Sequence, residues 1–219
     1  PFGSAVNTAK TWEAGRGIVL ADGVYEVTEQ IAIASGTTVA GANPGAKAVV
    51  KFMKAAPAAD ARGSVFKLSH ADARLYNLAI TTDYDKNDST KNAYGTQRNQ
   101  DFARGVWLEG NGLVDSCVIT NCRVSSSSPA GSAEHGGLGV YMSAGSLRDS
   151  LIAFCGSNGT SYDSGLKGQD GTIAIRGGTV VNCTVASNVN ATCSGIRARG
   201  GKVIAEGVPG RLNWNCTPR

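Results

Sequence analysis

The sequence predicts an all-β chain of 219 residues, folded as a single-domain right-handed parallel β-helix of about six coils with a short N-terminal capping helix. Three observations predict it. A strand–corner–strand unit recurs along the chain: GVWLEGNGLVDSCVI at 105–119, GVYMSAGSLRDSLI at 139–152, TIAIRGGTVVNCTV at 172–185 and GIRARGGKVI at 195–204, with a weaker copy, SVFKLSHADARLYNLAI, at 64–80. The apolar anchors of these copies, Leu68, Leu108, Met142, Ile175 and Ala198, stay in phase while their spacing varies. The composition is also that of many short strands joined by turns, with 29 glycines, 6 prolines and 42% apolar residues.

Each element follows from this pattern in order. Residues 6–15, VNTAKTWEAG, have the composition of a short helix ending at Gly15, and residues 1–16 would cover the open end of the core, as terminal units of stacked proteins require. GIVLADGVYEV, IAIAS, TTVAG and AVVKF then read as the strands of the first coils. Hairpins would reverse the chain through turns of about two to five residues. Here the same unit restarts instead, and stacking such units buries a continuous core between like strands. The anchor spacings are 40, 34, 33 and 23 residues. The shortest approximates a bare coil and the longer ones carry surface loops, the largest expected at 82–104.

Asn77, Asp115, Asp149 and Asn182 fall at one position of the repeat, with Ser116 as the alternative to Asp115 if that copy slips by one residue. Polar side chains stacked on successive coils can hydrogen-bond one another and the backbone, so a polar ladder is expected at this corner. The domain is read as covering residues 1–219, and the chain as a piece of a longer surface protein.

These residues resemble a known group. GIVLADGVYEVTEQIAIASGTTVAGAN looks like the first coil of pectate-lyase-like right-handed β-helix proteins, and GVWLEGNGLVDSCVITNC, GVYMSAGSLRDSLIAFC and AIRGGTVVNCTVASN resemble repeats of the bacterial secreted and surface members of that superfamily. The likeness spans roughly residues 15–205. It implies the fold and an extracellular or cell-surface location. It leaves the activity open, because lyases, hydrolases, adhesins and passenger domains share this architecture.

The net charge of +4 comes without basic blocks interleaved with aromatics, so no nucleic-acid partner is expected. No apolar run approaches the ~20 residues of a membrane helix, so no transmembrane segment is expected. Ser69, Glu109, Ser143, Arg176 and Arg199 follow the anchors on an exposed column, with Arg197 close by. Glu109, Arg176, Arg197 and Arg199 are therefore the candidates for binding an acidic glycan, since guanidinium groups grip carboxylate and sulfate bidentately. A lyase would need an acid cluster holding calcium and a base to remove a carbon-bound proton. The column supplies one acid, so no catalytic residue is assigned. The alternating oxygens of Asp83, Asp85 and Asp88 suit calcium, though without the glycine and terminal glutamate of an EF-hand.

All six cysteines lie in the second half, and none forms a C-x-x-C pair. With two histidines in the whole chain, a Cys/His zinc site is not expected. Cys122 and Cys155 end equivalent strands on neighbouring coils, about 4.8 Å apart, within disulfide reach. A Cys122–Cys155 bridge and a Cys193–Cys216 bridge are expected, with Cys117 and Cys183 facing the core. His70 and His135 read as loop residues, and five N-x-S/T sequons, at Asn87, Asn158, Asn182, Asn190 and Asn215, as turn sequence. The expected function is a non-catalytic extracellular domain for adhesion or polysaccharide contact. The alternatives are a polysaccharide lyase or hydrolase acting on an acidic glycan, with or without calcium, and a structural spacer.

Overall fold

The computed structural model describes residues 16–53, 62–85, 102–124, 138–157, 172–188, 195–198 and 200–204. The described residues hold strands and no helix. The expected capping helix at 6–15 lies outside them.

The strands follow one another in threes. The first coil is β1 (Gly17–Leu20), β2 (Gly23–Val27) and β3 (Ile31–Ile33). The second is β4 (Thr38–Gly41), β5 (Ala48–Phe52) and β6 (Arg62–Leu68), and the third β7 (Arg74–Tyr76), β8 (Leu78–Thr82) and β9 (Phe102–Leu108). The fourth runs β10 (Leu113–Asp115), β11 (Val118–Thr120), a short β12 (Arg123–Val124) and β13 (Val140–Met142). The fifth repeats that order with β14 (Ser146–Arg148), β15 (Leu151–Ala153), β16 (Gly156–Ser157) and β17 (Ile173–Ile175). The sixth is β18 (Thr179–Val181), β19 (Thr184–Ala186) and β20 (Ile196–Ala198), and β21 (Lys202–Ile204) opens a seventh.

Like strands stack on like. The first sheet is ordered β1-β4-β7-β10-β14-β18-β21, the second β2-β5-β8-β11-β15-β19 and the third β3-β6-β9-β13-β17-β20, while β12 pairs with β16. Every pairing is parallel. The chain is therefore a parallel β-helix of about six coils.

One core runs down its middle. Val39, Leu75, Val114 and Leu147 enter it from the first sheet, Val50, Ile80, Ile119 and Ile152 from the second, and Phe66, Val106, Val140 and Ile173 from the third. Nearly all of these are wholly buried, and each aliphatic side chain so buried stabilises the fold by about 1.5–3 kcal/mol before entropic costs. The anchors form a further inward column of the third sheet, Ile33–Leu68–Leu108–Met142–Ile175, and exposed Ala198 continues their register at its end. The repeat phase read from the sequence is thus the register of the sheet, residue for residue.

Three stacked columns of left-handed backbone turn the chain. At the first corner these are Asn77, Ser116, Asp149 and Asn182, with φ from 48° to 54°. Their N–H groups donate to the next coil at Asp115, Arg148, Val181 and Ile204, 3.1–3.3 Å away. This corrects the expected ladder: Ser116, not Asp115, is the fourth coil's member. Asp115 lies one residue earlier, in register with Tyr76 and Arg148. The reason is conformational, because the corner selects the residue with φ > 0 and not the one with the most polar side chain. Side-chain bonding within the column joins Asn182 to Asp149 (2.6 Å), whereas Asn77 turns away to accept from the Ala46 N–H and to donate to the Gly41 and Asn43 carbonyls. At the second corner the left-handed residues are Asn121, Phe154 and Ser187, and at the third Gly145, Gly178 and Gly201.

The long connections share one corner. Residues 53–61, 83–101, 125–139, 158–172 and 187–195 all link the second sheet, or its β12/β16 extension, to the third. The insertion expected at 82–104 is narrower than that range, since Thr82 completes β8 and residues 102–104 belong to β9. There Arg62, Gly63 and Ser64 of β6 pair with Phe102, Ala103 and Arg104, and this pairing extends the strand at the expense of the loop.

Candidate functional site

The third sheet is the face beside which every long connection re-enters the coil. Its strands alternate, so the residue preceding each anchor points outward. That outward column reads Ala32–Lys67–Trp107–Tyr141–Ala174 in register. Stacking thus lines a lysine and two aromatics on three consecutive coils.

Their contacts form one cluster. The Trp107 and Tyr141 rings meet edge to face, with centroids 5.8 Å apart and planes at 76°, a favoured geometry for aromatic quadrupoles. Lys67 Nζ lies 4.3 Å from the Trp107 centroid. Arg104 Cζ lies 5.1 Å from the Trp107 centroid and 4.9 Å from that of Tyr141. Arg104 is only 2% exposed, so its guanidinium is held against both rings with little water around it, the setting in which cation–π attraction is strongest. Gly105 explains how it gets there. A Cβ at Gly105 would strike Ile119 Cγ2 at 2.4 Å, so this position faces inward while Arg104 before it and Trp107 after it lie outside. The Trp107 indole N–H is buried with no hydrogen-bond partner among the described residues.

Glu109 joins the cluster through Lys67, 2.9 Å from its ammonium. Both side chains are partly exposed, and such a pair contributes at most about 1 kcal/mol. Its larger effect is to direct the Lys67 ammonium over the indole.

Of the glycan-binding candidates, Glu109 and Arg176 both follow the anchors as expected: the Glu109 N–H donates to Leu68 O and the Arg176 N–H to Met142 O. They are not neighbours. Ser143 stands between them on the intervening coil, which separates them by about 10 Å along the axis. Arg197 pairs through its backbone with Ala174, and Arg199 lies outside the described residues. Lys67, Arg104, Trp107 and Tyr141 were not expected from the sequence. The signal for three of them was present, because they precede an anchor or lie just before it, and period-two alternation puts such positions on the outer face.

Among the described residues no group of three His, Cys, Asp or Glu side chains converges as a metal site. Asp83 is half-buried and Asp85 exposed, while Asp88 lies outside the described residues. The start of this connection is packed onto neighbouring strands. The Asp83 N–H donates to Phe52 O (2.9 Å), Tyr84 is buried beside Leu138 and Phe52, and Asn121 donates to Tyr84 O (2.9 Å). His70 sits in a turn, accepting at Nδ1 from the Asp72 N–H (3.1 Å), and His135 lies outside the described residues.

Cys122 and Cys155 stack as expected: the Gly156 N–H donates to Cys122 O (3.0 Å), and both side chains are wholly buried. The expected bridge is not formed in the structure, where both are free thiols. In-register neighbours on parallel strands project side by side, and here each thiol turns to a carbonyl, Cys122 to Thr120 and Cys155 to Ala153. The adjacent Cys155 and burial push the Cys122 thiol pKa well above the usual range. Cys117 is buried and Cys183 partly so, both facing the core as expected. Cys193 and Cys216 lie outside the described residues.

No protein-family model, curated protein or solved structure significantly matches the chain.

Proposed function

We propose that the chain is a non-catalytic extracellular or cell-surface β-helix domain that contacts polysaccharide through the outer face of its third sheet. The observation that carries this reading is the cluster of Lys67, Arg104, Trp107 and Tyr141 on consecutive coils. Indole and phenol rings offer apolar contact to the C–H faces of sugar rings, and the part-exposed Lys67 ammonium supplies charge for uronate or sulfate groups, while buried Arg104 braces the two rings from beside them. The scaffold holds these groups at the fixed spacing of a parallel sheet, so a polymer lying along the axis meets one register position per coil. The extracellular assignment rests on the resemblance of the repeats to secreted proteins.

Catalysis is disfavoured by the same face. Among its described outward residues the carboxylate is Glu109, and Lys67 neutralises it. Acid–base cleavage of a glycan calls for two carboxylates, or for an acid-held cation with a base. The lyase reading retains one supporting observation, the place of Arg176 in register beside this face.

Titrating the protein with pectin, alginate and glycosaminoglycans, with and without calcium, tests the proposal. Binding is expected to change Trp fluorescence and to weaken at least about tenfold in Trp107→Ala, with the far-UV circular dichroism unchanged. Binding that is indifferent to both Trp107→Ala and Lys67→Ala would place the contact elsewhere. Absorbance rising from new unsaturated ends, and lost in Arg176→Ala, would replace this proposal with the lyase. Neither binding nor turnover would leave the spacer.

A further inference from the structure

We infer that Cys122 and Cys155 form an oxidisable dithiol that, once bridged, staples the fourth coil to the fifth at the roots of two long connections. Two kinds of observation carry this. The first is position. Cys122 immediately precedes β12 and Cys155 immediately precedes β16, and these short strands pair with Arg123 opposite Gly156 and Val124 opposite Ser157. The two cysteines are therefore consecutive-coil equivalents about 4.8 Å apart, inside the Cα separation a disulfide tolerates. Beyond Val124 and Ser157 the chain leaves for the long connections to the third sheet.

The second is isolation from other thiols. Cys117 and Cys183 belong to a different inward column, in which Ser150 stands between them: the Cys117 N–H donates to Ser150 Oγ (3.0 Å) and the Thr184 N–H to Ser150 O (2.9 Å). Two coils separate that pair by about 10 Å, beyond disulfide reach. Cys122 thus has one in-register cysteine partner among the described residues. A Cβ on Gly105 would lie 3.1 Å from Cys122 Sγ, so the backbone of β9 closes over the thiol and seals it from solvent. Oxidation therefore proceeds through local opening and is slow.

The chemistry is exchange with a small-molecule disulfide. One cysteine thiolate attacks that disulfide, forming a mixed disulfide and releasing one small thiolate. The second cysteine thiolate then attacks the protein sulfur of the mixed disulfide and expels the other small thiolate. The two protons lost by the protein end on the released thiols, and the small disulfide is reduced by the two electrons the cysteines give up.

The test starts from chain reduced with dithiothreitol and desalted, then incubated with oxidised glutathione in urea below the unfolding midpoint. Remaining thiols are alkylated after denaturation, and the protein is cut with trypsin. The Cys117→Ser background removes ambiguity, because Cys117 and Cys122 share the tryptic peptide 105–123 while Cys155 lies in 149–167. A non-reduced species joining those two peptides is expected, and the oxidised protein should melt about 5–10 °C higher than the reduced one. Cys122→Ser should abolish both the linked species and its share of the shift. Recovery of Cys122 and Cys155 as alkylated thiols, or of glutathione held on one of them without a bridge, would overturn the inference. So would Cys155 linked to a cysteine other than Cys122. None of these readouts depends on glycan binding.

Discussion

At the scale of single residues, the corner and core positions carry the strongest constraints. Cys117 is almost wholly buried, and burial pushes its thiol up to about 12 from the ordinary 9.0. Its folded-state pKa is raised, so its contribution is fully present below pH 9, where the thiol is neutral in both states. Above pH 9 the unfolded chain ionises first and binds fewer protons than the native one, and stability falls until the folded thiol also ionises near 12. One such proton corresponds to about 1.4 kcal/mol per pH unit. Urea unfolding followed from pH 8 to about 11 should therefore show a decline that is shallower in Cys117→Ala. Partly buried Cys183, raised to about 11, leaves a residual slope. Equal slopes in the two proteins would show that this thiol does not govern the decline. Other residues accept local strain for the sake of the corner. Phe154 holds φ at 55° while 55% exposed, in a column whose other members are Asn121 and Ser187. A bulky side chain in the left-handed region is uncommon.

At the scale of elements, what recurs is an apolar residue that points inward and a corner that needs φ > 0. The third corner meets that need with glycine for a second reason, which is close approach. A Cβ on Gly178, at φ 89°, would lie 2.4 Å from Gly145 O, and one on Gly177 would lie 2.3 Å from Ser143 O. Both obstacles are backbone on the preceding coil, which cannot swing aside as a side chain can. Gly178→Ala should therefore destabilise the fold by about 2–4 kcal/mol, combining strain at positive φ with displacement of the neighbouring coil. An unchanged denaturation midpoint would show that the corner relaxes freely. The same stacking makes the outer cluster rigid. Lys67, Trp107 and Tyr141 are held by ladder hydrogen bonds on three coils, so their spacing is that of the sheet and does not depend on a loop.

At the scale of the whole molecule, the β-helix is quasi-one-dimensional: each coil pairs only with those before and after it. Stability then approximates a sum over coils and their interfaces. Removing one coil from anchor to anchor should preserve the register. Deletion of residues 143–175, which span the 33-residue step from Met142 to Ile175, joins Met142 directly to Arg176 and leaves every column in phase. The shortened chain is expected to keep its β circular dichroism and to unfold cooperatively at lower denaturant. Deleting one residue fewer, 143–174, leaves Ile175 outside the repeat phase, pushes following inward residues toward the outer face, and should abolish cooperative unfolding. If both deletions behaved alike, in-phase stacking would not be the principle of this fold.

Much of this was legible in the chain before its fold. The anchors Leu68, Leu108, Met142, Ile175 and Ala198 define the sheet register because burial on one face repeats with the coil, and that periodicity is written in the sequence. The inward placing of Cys117 and the stacking of Cys122 on Cys155 follow from the same phase. Two matters needed the tertiary structure. Ser116 rather than Asp115 occupies the corner because backbone conformation is decided by hydrogen bonds to the next coil, which no single repeat contains. Arg104, Lys67, Trp107 and Tyr141 become one cluster because coils separated by long connections of unequal length are brought into contact by stacking. The sequence by itself determined which residues face the core and with what period. Which outward residues meet was decided only when the coils stacked, since an exposed column has no burial pattern of its own.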